Sequence, residues 1–419
     1  MNLHSDYEYV SYTIDTHKYN QSRVNKKDVQ TKQANYSILN YDRNYVCHDD
    51  IVTPLYRSIV LSSKNNDMLS FSPPKSIELD VFMNKNPTIH SKIWINEKVE
   101  GTMVNLFYDD RIQSWEISTK GSVGGNCWYY RTEYDNPKNN DKLQSKQMTF
   151  REMFLDVFRN IGESQINEIA FLECLPKHYT YSFVLQHPSN HIVLPIKDAK
   201  LYLVALYEIT DNRAIYIPPC IYEEWDCFLN MHGIIDFPIR YNENSEFISY
   251  NIIRANHCSI QSRYDKMGVM FMNMETGERA SMKNPVYEEV KQLRGNNPNL
   301  EYQYLCLLRI GKTGDFLTYF PMYKHNFDKF RDQYNDFVSN VHKSYVTKYI
   351  QKNNIAPISK KYNIHVWRLH HQMYLPSLST GSTQIITRHV VKQYFDEMEP
   401  RSMLYYLHYE DRQRIETEL

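Results

Sequence analysis

The chain has 419 residues, 42% of them hydrophobic and 23% charged, and a formal net charge of −1. That length supports two or three domains with cores of their own, while the near-zero charge excludes a global field that would gather nucleic acid, so any such contact must come from a local basic cleft. Seven cysteines without a CxxC pair exclude a disulfide framework or structural zinc site and point to a reducing cytosol, and neither an apolar signal core nor an 18-residue apolar run indicates export or a membrane helix.

In chain order, residues 1–45 are rich in Tyr, Asn, Lys and Asp and read as a loosely structured polar lead-in. From 46 to 300, short aromatic and β-branched runs alternate with turns. TMVNLFYD, SWEIST, YSFVLQ and KLYLVALYEI are the clearest strands. One helix interrupts them: Thr149-Phe150-Arg151-Glu152 has capping-box spacing, Phe150, Phe154, Val157, Phe158 and Ile161 mark one face, and Gly162 is placed to stop it. From about 301 to 419 the pattern is helical. Phe327, Phe330, Tyr334, Phe337, Val338, Val341 and Tyr345 form the stripe of a long amphipathic helix. Lys329, Arg331, Lys343, Lys348 and Lys352 fall mostly off that stripe, as either a solvated polar face or a phosphate-contacting surface. The adjacent pair His370-His371 reads as helix surface. A further helix runs to Met398 and another from Arg401 to the end.

The most informative segment is Lys98-Val99-Glu100-Gly101-Thr102, followed by two strand-like runs and then Thr119-Lys120-Gly121-Ser122. A lysine, one spacer, an acidic or amide residue and a glycine suit an enzyme that attaches a nucleotide to itself. A free lysine, with a pKa of roughly 10.4, is neutral in only about one molecule in 2500 at pH 7. A nucleophilic lysine must therefore lose its proton through desolvation or nearby positive charge. Glycine lets the backbone approach a ligand closely.

These elements resemble the bacteriophage-type RNA ligase 1 family, and within it the ligase-like proteins of large DNA viruses. The resemblance spans about residues 50 to 300. LYRSIVL carries Arg57, and SFSPPKSI carries Lys75 after a Pro-Pro stop; the resemblance implies that both hold ATP phosphates. YTYSFVLQHPSNHIVLP is similar to the third motif, with an aromatic strand containing Phe183, a proline turn with Asn190 and an Ile192-Val193 strand. MGVMFMNMETGERASMKNPVYEEVKQLRG is similar to motifs IV and V, read as strand, turn at Thr276-Gly277, strand, and a helix beginning near Pro285. The implied catalytic residues are Lys98, Lys120 and Lys283. The implied cofactor-binding residues are Arg57, Lys75, Glu100, Gly101, Phe183 and Gly268. The spacing from Lys98 to Lys283 exceeds the family's, which implies an insertion near 211–262.

Three positions depart from the family. Val184 stands where the third motif carries glutamate, Met267 where motif IV places glutamate before glycine, and Ser281 at the first lysine of a Lys-x-Lys in motif V. Two carboxylates that organise metal and one phosphate-gripping lysine are therefore replaced; Glu173 and Glu278 are the nearby candidates to hold metal. The expected architecture is α+β: a ligase-type nucleotidyltransferase domain (46–300) with antiparallel sheets and flanking helices, followed by an α-helical C-terminal domain (301–419).

The implied function is an ATP-dependent RNA ligase. It would form lysyl-AMP with Mg²⁺ or Mn²⁺, transfer AMP to an RNA 5′-phosphate and seal to a 3′-hydroxyl. The protein is expected to be a monomer without membrane association, in the host cytoplasm if viral, with a possible virion association. The many Tyr and Asn residues fit an AT-rich viral genome. The alternatives are a degenerate ligase fold that binds ATP or RNA, an mRNA capping guanylyltransferase, which shares the Lys-x-acid/amide-Gly core, and a structural virion protein.

Overall fold

A computed structural model describes residues 10–42, 44, 52–128, 148–159, 168–242, 248–353, 357–379, 383–410 and 412–413. The chain divides into two compact units, one of residues 1–129 and 141–291, the other of 130–140 and 292–419.

Among the described residues the first unit holds fifteen strands in three sheets. In chain order they are β1 (Ser11–Thr13), β2 (Val24–Gln30), β3 (Asn35–Tyr41), β4 (Ile59–Ser62), β5 (Met68–Phe71), β6 (Ile93–Glu97), β7 (Thr102–Asp109) and β8 (Ser114–Thr119). There follow β9 (Ser122–Val123), β10 (Tyr179–Gln186), β11 (Lys200–Thr210), β12 (Arg213–Ile217), β13 (Ile235–Asp236), β14 (Gly268–Asn273) and β15 (Arg279–Lys283). The largest sheet has the order β1-β12-β11-β10-β7-β8-β9, with β13 added in parallel on β11. A second sheet is β2-β3-β4-β5 and a third β15-β14-β6. Every other pairing between these strands is antiparallel.

Strand β10 shows why the large sheet sits at the centre. Tyr181, Phe183 and Leu185 point into a core shared with Phe154, Phe171 and Phe228. The alternate residues Thr180 and Ser182 are buried too, but as hydroxyls with partners: Thr180 Oγ1 lies 2.9 Å from Ser70 Oγ, and Ser182 donates to Asn105 Oδ1 at 2.8 Å. A strand covered on both faces must either be apolar throughout or satisfy each polar group internally; β10 does both.

The lead-in differs from its sequence reading. Residues 11–41 are not loose: β1 pairs with β12, and β2 and β3 form a hairpin edge of the second sheet. Tyr36, Ile38 and Leu39 are fully buried. Composition concealed this because β2, VNKKDVQ, is an exposed edge strand, and charge on an exposed edge protects it from foreign pairing. Residues 1–9 and 45–51 lie outside the described set.

The capped helix is Phe150–Asp156. The Thr149 hydroxyl accepts from the Glu152 N–H, and the Glu152 carboxylate accepts from the Thr149 N–H at 2.8 Å. Ile161 and Gly162, expected at its end, lie outside the described residues. Residues 211–262 supply β12, β13, two short helices and the helix Tyr250–His257.

The second unit is helical. The long helix Lys324–Tyr345 buries Phe327, Tyr334, Phe337, Val338, Val341 and Tyr345, all of the predicted stripe except Phe330, which is half-buried. It continues into a π-helical segment, Val346–Ile350, and a second π segment, Leu369–Tyr374, joins the helices Lys360–Arg368 and Leu375–Ser379. Helices Arg388–Asp396 and Pro400–Leu407 follow. The architecture is thus antiparallel sheets with flanking helices and a helical C-terminal region. Among the described residues no helix is long and apolar enough to cross a membrane.

Candidate active site

Lys98 to Gly101 is the link by which the chain leaves the three-stranded sheet at β6 and enters the large sheet at β7. Both ends of the link are fixed by backbone contacts. The Lys98 N–H donates to the Gly268 carbonyl at 3.0 Å. Gly101 sits at φ +152°, and a Cβ there would lie 2.5 Å from the Leu185 carbonyl oxygen and 2.6 Å from Val184 Cγ1. Gly268 has φ +133°, and a Cβ would lie 2.2 Å from the Met282 oxygen. Both glycines are thus required by positive φ and by the close approach of neighbouring strands. Gly268→Ala is expected to destabilise the first unit by roughly 1–3 kcal/mol from backbone strain alone, with the carbonyl clash adding to it; urea unfolding measures the loss.

The Lys98 ammonium donates to Ser281 Oγ at 3.3 Å. Burial pushes its pKa down from 10.5 to about 8; Glu288 opposes this, while Lys283, Lys291 and Arg57 push it further down. Lys283, at the end of β15, lies 3.9 Å from Glu288 Oε2, and Lys291 lies 3.9 Å from Glu288 Oε1. Glu288 and Lys291 are on the helix Pro285–Arg294, one turn apart, so a single helical face presents both to Lys98. Asn284 anchors that helix: its Oδ1 accepts from the Val286 N–H at 3.0 Å, and its Nδ2 donates to the Arg263 and Lys266 carbonyls, each at 2.8 Å.

Glu100 is held by the segment after β10 rather than by Lys98. It is 2% exposed, and its Oε1 accepts the Val193 and Leu194 N–H groups at 3.2 and 3.0 Å. Burial raises its pKa, opposed by a hydrogen bond from Tyr287 and by those N–H groups. The expected Ile192-Val193 strand is absent because the Glu100 carboxylate takes the N–H groups a sheet would have used. Gln186 donates to the Glu100 carbonyl at 2.8 Å, and Asn190 donates to Thr102 Oγ1 at 2.8 Å, so the turn after β10 clamps the link from the other side.

The other sequence-predicted residues fall in different places. Phe183 is fully buried, stacked at 10° on Tyr181, so it is a core residue with no face left for a base. Lys120 lies over the Tyr41 ring, 4.1 Å from its centre. Its turn is tied to the Arg57 segment through a 3.2 Å bond from Ser58 Oγ to the Thr119 carbonyl. Lys75 lines a cavity of about 520 Å³ with Lys85, Asn86, Asn273 and Arg279. Glu278 shares that cavity and pairs with Lys85. Glu173 is exposed on the helix Glu168–Cys174. Glu173 and Glu278 therefore do not come together, and among the described residues no three His, Cys, Asp or Glu side chains are grouped to hold a metal. Arg279 and Ser281 alternate onto one face of β15, so the cavity begins about 7 Å along the strand from the Lys98 contact.

Glu288 and Lys291 were absent from the sequence-based site. Their signal was available in NPVYEEVKQLRG: a helix that starts directly after the strand carrying Lys283 must aim its first two turns at that strand's end.

No family model matches this sequence. An RNA ligase from Rhodothermus phage RM378 is 23% identical over 217 residues, which are 47% of this chain and 45% of the relative. The chain thus spans less than half the length of this curated relative. An archaeal ATP-dependent RNA ligase structure is 13% identical, covers 88% of this chain and 82% of its own, and has a TM-score of 0.37. A variant of Naegleria gruberi RNA ligase solved with ATP and Mn is 12% identical, covers 53% and 58%, and also scores 0.37.

Proposed function

We propose that this chain is an ATP-dependent RNA ligase-type nucleotidyltransferase whose first step is self-adenylylation at Lys98. The observation that carries the proposal is the half-buried Lys98 ammonium, held at the link between two sheets with its pKa lowered to about 8. At pH 7 about one molecule in ten then has a neutral amine, against about one in 2500 for a free lysine. The neutral Nζ attacks the α-phosphorus of ATP. An N–P bond forms, the bond to the pyrophosphate oxygen breaks, and the amine proton is lost. Lys283, Lys291 and Arg57 lie near enough to act electrostatically on Lys98, and cations at that range would stabilise the negative charge that grows on the phosphate. The phage relative's name, RNA ligase, supports RNA as the polymer joined; in the proposed reaction AMP passes from Lys98 to an RNA 5′-phosphate and a 3′-hydroxyl then displaces it to seal the ends.

Among the described residues no three His, Cys, Asp or Glu side chains are grouped to hold a metal. Val184, Met267 and Ser281 stand where the resemblance calls for two carboxylates and a lysine, and Glu100 Oε1 is taken by the Val193 and Leu194 N–H groups. A Mg²⁺ or Mn²⁺ ion would have to arrive on the triphosphate, as magnesium commonly does. This favours a second reading in which adenylylation survives and sealing is slow or lost.

Incubation with α-labelled ATP or GTP and Mg²⁺ or Mn²⁺, then denaturing electrophoresis and peptide mapping, tests the proposal. AMP on Lys98 is the expected result. GMP in its place would mean a capping-type enzyme; label elsewhere, or none with either metal, would sink the assignment. Lys283→Ala and Lys291→Ala should each weaken ATP binding in calorimetry by roughly 1.5–3 kcal/mol, the worth of a charge-assisted hydrogen bond.

A further inference from the structure

The helical unit holds a charge asymmetry that the net charge of −1 conceals. Between Asp336 and Asp396 the sequence has eight Lys or Arg residues and no Asp or Glu. Among the described residues only Lys361 and Lys392 of these eight pair with a carboxylate, Glu410 and Asp396 respectively. A tract so one-sided creates a local positive field suited to a polyanion.

The same tract displays ring faces. Ile364, Trp367, His371 and Leu375 recur at three- and four-residue steps, and all are exposed, Trp367 by 48%. The Trp367 and His371 rings lie 4.9 Å apart at 31°. Behind them Tyr349 stacks on His370 at 3.7 Å and 6°, and His370 on Tyr374 at 5.3 Å and 23°. Tyr349 and His370 come from the two π-helical segments. A π turn holds an extra residue, shifts the side chains after it and is found mostly where a helix serves a function. The Lys348 ammonium sits 5.6 Å from the Tyr349 ring centre and donates to Asn363 Oδ1 at 3.1 Å. Exposed Lys360 lies two turns before Trp367 on the same helical face.

We infer that this face binds a single-stranded stretch of RNA, with bases stacked on the Trp367–His371 rings and phosphates held by Lys348 and Lys360. Aromatic faces alternating with cations are how single strands are held without sequence readout, because every base has a π face and every nucleotide a phosphate. A duplex hides its base faces and would gain only the charge term. The choice of RNA rests on the ligase reading above; the surface does not.

The test is fluorescence anisotropy with an end-labelled single-stranded RNA of roughly 20 nucleotides, a duplex of the same sequence, and anionic vesicles of phosphatidylserine and phosphatidylcholine. Single-stranded RNA should bind more tightly than the duplex. Trp367→Ala should weaken it at least about fivefold, the lower end of one lost base stack. Lys348→Glu with Lys360→Glu should weaken it further and reduce the slope of log K against log salt by roughly 1.4. Far-UV circular dichroism checks the fold; both lysines are away from the core, and Lys360 opens a helix, where glutamate is favoured. The anisotropy measurement uses no ATP and no metal, so a failed labelling experiment leaves this result intact, and the reverse. Unchanged RNA binding in the folded Trp367 and lysine variants overturns the inference. Vesicle binding that these substitutions abolish, with RNA binding unaffected, would reassign the face to a membrane surface.

Discussion

Replacing Lys98 by methionine is expected to abolish adenylylation while raising the melting temperature at pH 7. The lysine is a stability cost that the site imposes. Its pKa is about 8 in the folded chain against 10.5 for an ordinary lysine, so the unfolded chain binds more protons between those limits. The Lys98 contribution to stability must therefore rise with pH across that interval. Below about pH 8 the penalty is fully present, up to about 3 kcal/mol; above about pH 10.5 it is gone. The gain from Lys98→Met should follow the same course, large at pH 7 and vanishing as the pH approaches 10.5. Thermal melts of both proteins across pH 6 to 10.5 measure it. The rate of lysyl-AMP formation should climb about tenfold per pH unit and level off above about 8. Glu288→Gln should move that midpoint down, because Glu288 raises the Lys98 pKa, and Lys283→Ala should move it up. A midpoint that ignores both substitutions would mean that another group titrates.

Much of this arrangement was legible before the fold was known, and the gaps have physical reasons. Strands β7, β8, β10 and β11 were visible because their residues are β-branched or aromatic in short runs between turn residues. The helix at Phe150 announced itself by a capping box. The lead-in was misread because composition averages a buried strand with an exposed one. The Ile192-Val193 strand was misread because propensity cannot see a carboxylate arriving from 93 residues away. Phe183 was misassigned for the opposite reason: a residue on a motif strand was read as ligand-facing, when alternation puts one side of that strand into a closed core. Lys98 and Lys283 came from local wording, but Glu288 and Lys291 needed the angle at which a helix leaves a strand. The acid-free tract from 337 to 395 required only a count along the chain, which whole-chain charge conceals.

The second large effect concerns Val184, Met267 and Ser281, where the resemblance to the RNA ligase 1 family calls for two carboxylates and a lysine. Val184 is 7% exposed and packs on Gly101, and Met267 is half-buried immediately before Gly268, so both positions adjoin the Lys98 link. A glutamate at 184 alone must bury a carboxylate with no prepared partner, which is expected to cost roughly 2–4 kcal/mol or to leave the group protonated. Val184→Glu with Met267→Glu should be less stable still in EDTA, because two like charges would then share one desolvated link. If the two side chains face a common space, Mg²⁺ or Mn²⁺ should restore most of the lost melting temperature, since an ion bound only by the folded chain stabilises it by mass action. The parent chain, without those carboxylates, should show no comparable rise. Ser281→Lys acts on the other side. It puts a second ammonium where the Lys98 partner now sits at 3.3 Å, lowers the Lys98 pKa further and adds a grip on phosphate. The triple variant is therefore expected to seal a nicked RNA faster than the parent at equal metal, with the metal-dependent melting rise as an independent sign that a site has been rebuilt. Efficient sealing by the parent at low Mg²⁺ would show that other groups do the work of the replaced carboxylates, and no metal-dependent recovery in the double variant would show that positions 184 and 267 do not face a common metal site.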